Sequence, residues 1–218
     1  MARQKLRKFA ENKERANVIQ AEKPFYDNCK GKWRSEYFKN DNPIVLELAC
    51  GRGEYTTGLA KEYPNKNFIG IDMKGDRLWF GSNVAIENEL DNVAFLRCQI
   101  QHLEEFFAKH EIDEIWIIHP DPRPKNKDAK RRLTHPRFLK IYKKLLKENG
   151  LMRLKTDSRS LFEYSVETVV HEKLNLEAIT FDLYESDLKV EHHGISTRYE
   201  RKFTQEGHKI HYMRFRFQ

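Results

Sequence analysis

An α/β fold with a mostly parallel, seven-stranded sheet and helices on both faces follows from three features of this 218-residue chain. Short apolar runs alternate with helix-like stretches from residue 44 onward, the pattern of parallel strands joined by crossover helices. The first run leads into a glycine-bearing turn, Cys50-Gly51-Arg52-Gly53, in front of a helix. The first five runs all end in polar or glycine-rich residues, and open sheets of this kind take their ligands at those ends.

Residues 1–38 read as a polar arm with a few aromatics (Phe25, Tyr26, Trp33, Tyr37, Phe38) and no clear periodicity. Asn42-Pro43 is a turn signal, so a basic arm over 1–42 and one domain over 43–218 are expected. Strand one is Ile44 to Ala49, and a helix follows from Glu54 to Tyr63. Strand two covers 67–72, and the helix over 74–90 is expected to bury Trp79, Phe80, Val84 and Ile86. Strand three is 93–96, followed by a helix around Leu103, Phe106 and Phe107. Strand four is 114–118 and ends in His119-Pro120-Asp121-Pro122. A basic helix then runs through Leu146 to a stop at Asn149-Gly150. Strand five is 151–155, a helix covers 158–173, and strand-like runs lie near 177–184 and 208–217. Trp79 and Trp116 are expected in the core.

Composition excludes several classes. Charged residues make up 33% and the mean hydropathy is −0.80, with no apolar run near the ~18 residues of a membrane span. The first residues carry no apolar segment of a secretory leader. Cys29, Cys50 and Cys98 form an odd set without a CxxC pair, which argues against a disulfide framework or zinc ribbon and fits a reducing cytoplasm. His192, His193, His208 and His211 lack metal-ligand spacing, so no metal is expected. The net charge of +7 is unevenly spread. Residues 123–147 hold eleven basic side chains against the lone acid Asp128, residues 1–24 are +4, and the rest is −7. Such a run is either a solvated helix face or the contact for a phosphate-rich partner.

Gly51 and Gly53 let the backbone approach a ligand, and Asp72 ends strand two, where an acid can accept bonds from ribose hydroxyls. A GxG turn alone also fits a tight turn capped by a buried Glu, or a nicotinamide cofactor. The nicotinamide fingerprint wants a third glycine where Thr56 stands. Glu47 and Glu54 would oppose a pyrophosphate, whereas they suit an ammonium and a sulfonium. S-adenosylmethionine carries both.

Four segments carry a resemblance: ELACGRGE at 47–54, FIGID at 68–72, HPDPRPK with KRR at 119–132, and TRYERKFTQEGH at 197–208; LKTD at 154–157 adds to them. The chain resembles the bacterial tRNA (guanine-N7-)-methyltransferase family, the TrmB type. That resemblance implies a Rossmann-like class I S-adenosylmethionine-dependent methyltransferase fold. It also implies methylation of a guanine in the tRNA variable loop, at tRNA position 46. Glu47, Gly51, Gly53, Asp72 and Gln99 are implied to bind the cofactor; the family usually has Asp or Asn at the position of Gln99. Asp121 is implied as the active-site residue, beside the cofactor. Lys125, Asp157, Thr197, Arg198, Tyr199 and Glu200 are implied for substrate. Arg123 departs from the Trp usual between these prolines, and a guanidinium also stacks on bases.

Guanine N7 exposes a lone pair, so transfer needs no prior deprotonation there, and alignment with electrostatic help is the main demand. Pro120 and Pro122 fix the backbone around Asp121, whose charge would anchor the base or the sulfonium methyl. Lys127, Lys130, Arg131 and Arg132 follow this turn and are candidates for RNA phosphates. The alternatives are a methyltransferase for another substrate and a non-catalytic RNA-binding subunit. A monomer or homodimer is expected.

Overall fold

The computed structural model describes residues 2–218. Its N-terminal segment differs from the expected arm. Ala2–Glu14 forms helix α1, and Val18–Ile19 (β1) pairs in parallel with Phe95 and Leu96 at the edge of the sheet. Helix α1 is pinned by buried Asn12, whose Nδ2 donates to the Gly75 carbonyl at 2.7 Å. Arg15 donates to the Trp79 carbonyl at 3.0 Å. Trp33 is fully buried in a π-helical turn (Trp33–Phe38), stacks on Phe107 at 5.4 Å and donates Nε1–H to the Phe106 carbonyl. Turns of this kind have no helix or strand period, so the sequence pattern leaves the segment unassigned.

The remaining elements follow the alternation. They are β2 (Ile44–Leu48), α2 (Glu54–Glu62), β3 (Asn67–Ile71), α3 (Gly75–Glu87), β4 (Val93–Leu96), α4 (Leu103–Phe106) and β5 (Ile112–Ile118). Then come α5 (Pro136–Leu145), β6 (Leu146–Thr156), α6 (Arg159–His171), β7 (Asn175–Thr180), α7 (Arg198–Gln205) and β8 (His211–Arg216). The sheet has eight strands in the order β1-β4-β3-β2-β5-β6-β8-β7, one more than expected, and the extra strand is β1. Strands β1 to β6 are parallel, and β8 runs antiparallel between β6 and β7.

All five residues of β2 are buried, as a central parallel strand covered on both faces requires. Alternation sorts them: Ile44, Leu46 and Leu48 join the larger core cluster with Phe138 and Tyr142 of α5. Val45 joins the opposite cluster, with Tyr55 and Leu59 of α2. Glu47 shares the face of Val45, which aims its carboxylate at the start of α2.

Two helix expectations are corrected. Helix α3 buries Leu78, Gly81, Ser82 and Ala85, while Val84 and Ile86 are exposed. Trp79 is half-buried under α1 and donates Nε1–H to Glu11 at 2.5 Å; Trp116 is in the core. The basic helix α5 starts at Pro136, capped by His135 accepting from the Arg137 N–H, and stops at Leu145. Strand β6 begins at the next residue, so Asn149 and Gly150 lie inside it, where the pairing with β5 shifts register. Helix α5 therefore runs back along the sheet. Its last turn and Lys147 lie at the end opposite the strand C-termini, where Lys147 pairs with Asp113 at 2.7 Å. Lys144 is paired with Glu104 at 2.8 Å. Among the described residues no helix is long and apolar enough to cross a membrane.

Candidate active site

The C-terminal ends of β2 and β5, the first turn of α7 and Lys8 of α1 surround a cavity of about 720 Å³. Gly51, which lines it, and Gly53 belong to one turn and hold φ of +57° and +70°, values that suit glycine. A Cβ on Gly51 would meet nothing within 4 Å, whereas one on Gly53 would lie 2.5 Å from the Phe95 ring. The same ring lies 2.5 Å from a Cβ built on Gly81 and 2.9 Å from one on Gly70. Ala49 and His119, the residues following β2 and β5, also hold positive φ (+56° and +43°), as does Arg123 (+47°). For residues with a side chain this is uncommon, and such strain gathers at functional sites.

Glu47 lines this cavity and is only 4% exposed. Its Oε2 accepts from the Thr56 N–H at 2.7 Å and from the Thr56 hydroxyl. Burial outweighs these bonds and pushes its carboxyl up to about 8. Asp72 is buried beside the turn: Oδ2 accepts from the Gly51 N–H at 3.1 Å and Oδ1 from the Lys74 N–H at 2.8 Å. Burial raises its pKa too, against those bonds. Gln99 is exposed and borders a second cavity of about 440 Å³ with Met73, Cys98 and His102, so it does not share a wall with Glu47. The three cysteines are free and buried.

Beyond β5 the loop is open. Asp121 is 61% exposed, pairs with the Arg123 guanidinium at 3.1 Å and accepts from the Arg123 N–H at 3.2 Å; it does not line the larger cavity. Lys125, Lys127, Lys130 and Arg131 are exposed, and Arg131 lies 3.3 Å from Asp128. Arg132 differs from these cations. It is 9% exposed, lies 4.3 Å over the Tyr164 ring and donates twice to the Arg123 carbonyl, at 3.2 and 3.1 Å. It is a brace for the proline loop rather than a free cation.

Thr197, Arg198 and Tyr199 line the cavity from the first turn of α7. Thr197 and Glu200 form a reciprocal capping box, and the Arg198 N–H donates to Glu54 at 2.9 Å. Glu200 is fully buried, away from any substrate surface. Its Oε1 takes Lys155, also fully buried, and the Tyr184 hydroxyl. Lys155 donates on to the Tyr55 hydroxyl at 2.5 Å, which donates to His192 Nδ1 at 2.9 Å. Burial opposes charge on Glu200, but His119, Lys155 and Tyr184 outweigh it and hold its pKa at about 2. Burial lowers Lys155, with Glu200 opposing.

His119 lines the cavity and is 6% exposed. Its Nδ1 donates to Asp157 Oδ1 at 2.9 Å, and its Nε2 lies 3.4 Å from Glu200 Oε2. Burial works against a charged ring, but the two carboxylates prevail and raise its pKa. Burial likewise works against Asp157, and the His119 hydrogen bond prevails to hold its carboxyl below the usual range. His119, Lys155, Tyr55 and Tyr184 have no assigned role in the sequence reading. Two signals were present: Thr197-Arg198-Tyr199-Glu200 spells a capping box, and Lys155 is a charge inside an apolar strand.

Known proteins resemble this chain in sequence and in fold. A family described as a putative methyltransferase matches residues 41–213. A protein from Cytophaga hutchinsonii is 48% identical over 219 residues, covering 100% of this chain and 99% of its own length. One from Christiangramia forsetii is 47% identical, covering 99% and 98%. One from Listeria monocytogenes is 40% identical over 88% of this chain and 87% of its own. All three are named tRNA (guanine-N(7)-)-methyltransferase. The solved 16S rRNA methyltransferase KamB shares the fold, with a TM-score of 0.66 at 12% identity over 92% of this chain and 98% of that one. With nearly half of its residues retained end to end in such relatives, the chain belongs to the bacterial tRNA (guanine-N7-)-methyltransferase family.

Proposed function

We propose that this protein methylates N7 of the guanine at position 46 of tRNA, with S-adenosylmethionine as donor, in the cytoplasm. The full-length relationship at 47–48% identity carries this reading. The cavity fits the cofactor on its own chemistry. A carboxylate that burial leaves short of positive charge lines a space bounded by Gly51, where no side chain intrudes. When bound, S-adenosylmethionine supplies an electrophilic methyl on a sulfonium. Glu47 meets its cationic part, Asp72 holds the Gly51 turn in shape, and Gln99, which borders the second cavity, serves the adenine side. Asp121 and Asp157 present negative charge to a base that becomes more positive as N7 is methylated, which favours the transition state. Thr197, Arg198 and Tyr199 position the base from α7, and Glu200 serves them by locking that helix rather than by contact. Lys125, Lys127, Lys130 and Arg131 take RNA phosphates, while Arg132 holds the loop that carries Asp121.

Labelled S-adenosylmethionine and unmodified tRNA test this. The expected product is N7-methylguanine in the variable loop; label at another atom, or binding without label, overturns it. Asp121→Ala is expected to lose transfer by about 100-fold or more with tRNA binding retained. Near wild-type turnover of that variant would remove Asp121 from the mechanism.

A further inference from the structure

His119 sits where three elements meet. It follows β5, its Nδ1 bonds Asp157 just past β6, and its Nε2 faces Glu200 in the first turn of α7. The Nε2 atom is buried with no aligned hydrogen-bond partner. A neutral imidazole offers one donor and one acceptor, and an acceptor nitrogen facing a carboxylate oxygen would be repelled. Only the doubly protonated ring suits both neighbours. The charge count agrees. Asp157 and Glu200 bring two negative charges, and buried Lys155 answers one of them. Tyr184 and Thr197 bond Glu200 as neutral groups, and His208 acts on Asp157 from the segment before β8. An imidazolium at His119 supplies the missing positive charge.

We propose that His119, as an imidazolium, is a positioning residue for methyl transfer, tying the ends of β5 and β6 to the first turn of α7. The tie sets Asp157 behind the cavity-lining His119 and holds the Thr197 to Tyr199 segment on the cavity wall. This inference rests on the methyl-transfer reading above. Loss of the proton leaves two carboxylates around a neutral ring and releases α7, so productive tRNA binding falls. Cofactor binding, which depends on Glu47, is spared. Glu47 shares the cavity and is pushed up to about 8, so the test keeps S-adenosylmethionine saturating to hold Glu47 ionised.

The experiment measures kcat/KM for unmodified tRNA between pH 5.5 and 9 in the wild type and His119→Gln. Wild-type kcat/KM is expected to fall as pH rises beyond the imidazole's ordinary range. His119→Gln is expected to be about 10-fold or more slower at pH 6 and to lack this fall. Although His119 lines the cavity, both its ring nitrogens are turned to Asp157 and Glu200, so the variant's Kd for S-adenosylhomocysteine is expected to stay within about twofold. A second measurement needs no His119 variant: NMR titration of the His119 ring is expected to show a midpoint above ~6.5 that drops in Asp157→Asn. A midpoint at or below that value overturns the proposal. So does His119→Gln with the wild-type profile, or with cofactor affinity and melting temperature lost in parallel with kcat/KM. Failure of the wild type to methylate tRNA would instead overturn the functional reading, and the ring titration would still decide whether His119 is charged.

Discussion

Glu47 ties a single carboxylate to stability and to cofactor binding in opposite senses. Its pKa rises from 4.5 toward about 8 on folding, so the folded protein holds a proton that the unfolded chain has lost over that interval. The stability linked to this proton is complete below pH ~4.5 and drains away as pH climbs to about 8. Glu47→Gln should therefore melt progressively higher than wild type, cofactor-free, between pH 5 and 8, while its affinity for S-adenosylmethionine drops. Calorimetry in buffers of different ionisation enthalpy should detect proton release on cofactor binding at pH 7 in the wild type only. A pH-independent difference in melting temperature would refute the linkage. Glu200 shows the reverse sign: held at about 2, it contributes stability above the ordinary carboxylate range that is lost as pH falls toward 2. Glu200→Gln leaves Lys155 buried and unpaired and should cost about 3–5 kcal/mol, read by denaturant unfolding. Lys155→Met with Glu200→Leu should recover much of that, since a well-packed apolar pair can replace a buried ion pair. Sequence showed the capping box that names Glu200, but not its ammonium partner 45 positions earlier on a parallel strand. For the same reason Arg132 looked like one more free cation until its carbonyl partner, Arg123, was in view.

Periodicity made the central elements legible. Strands β2 to β6 and their glycine-rich or polar ends stand out because buried parallel strands are continuous apolar runs between punctuating residues. It failed where structure is aperiodic. A two-residue strand and a π turn leave no repeat, and α1 packs through Phe9 and Asn12, with Arg15 just after it, rather than through an apolar stripe. Helix α3 misled for a related reason: its buried face is built of small residues, because the Phe95 ring fills the space beside Gly81. Deletion of residues 2–20 tests the docked N-terminal segment. A free tail would leave the melting temperature unchanged. Loss of β1 and of the contacts with α3 should lower it by about 5 °C or more in scanning calorimetry. Gly81→Ala should destabilise by about 1–3 kcal/mol through collision with Phe95, and Phe95→Leu in the same chain should relieve part of it.

The whole molecule carries +7, yet its basic residues do not act together. The run over 123–147 looked like one patch because sequence shows adjacency and not direction. Helix α5 carries its far end to the opposite pole, where Lys144 and Lys147 meet Glu104 and Asp113. Replacing Lys127, Lys130 and Arg131 by Gln should reduce the salt slope of tRNA binding by about 2. The same change at Lys143, Lys144 and Lys147 should leave it within error, and equal effects would refute the division. The return path of α5 also has a kinetic meaning. Unpaired positive charge at one pole gives the protein a leading face, so a polyanion diffusing nearby is turned toward the strand ends before contact. Collisions with the neutralised pole are then wasted less often, and the on-rate for tRNA, more than its residence time, registers which way a single helix runs.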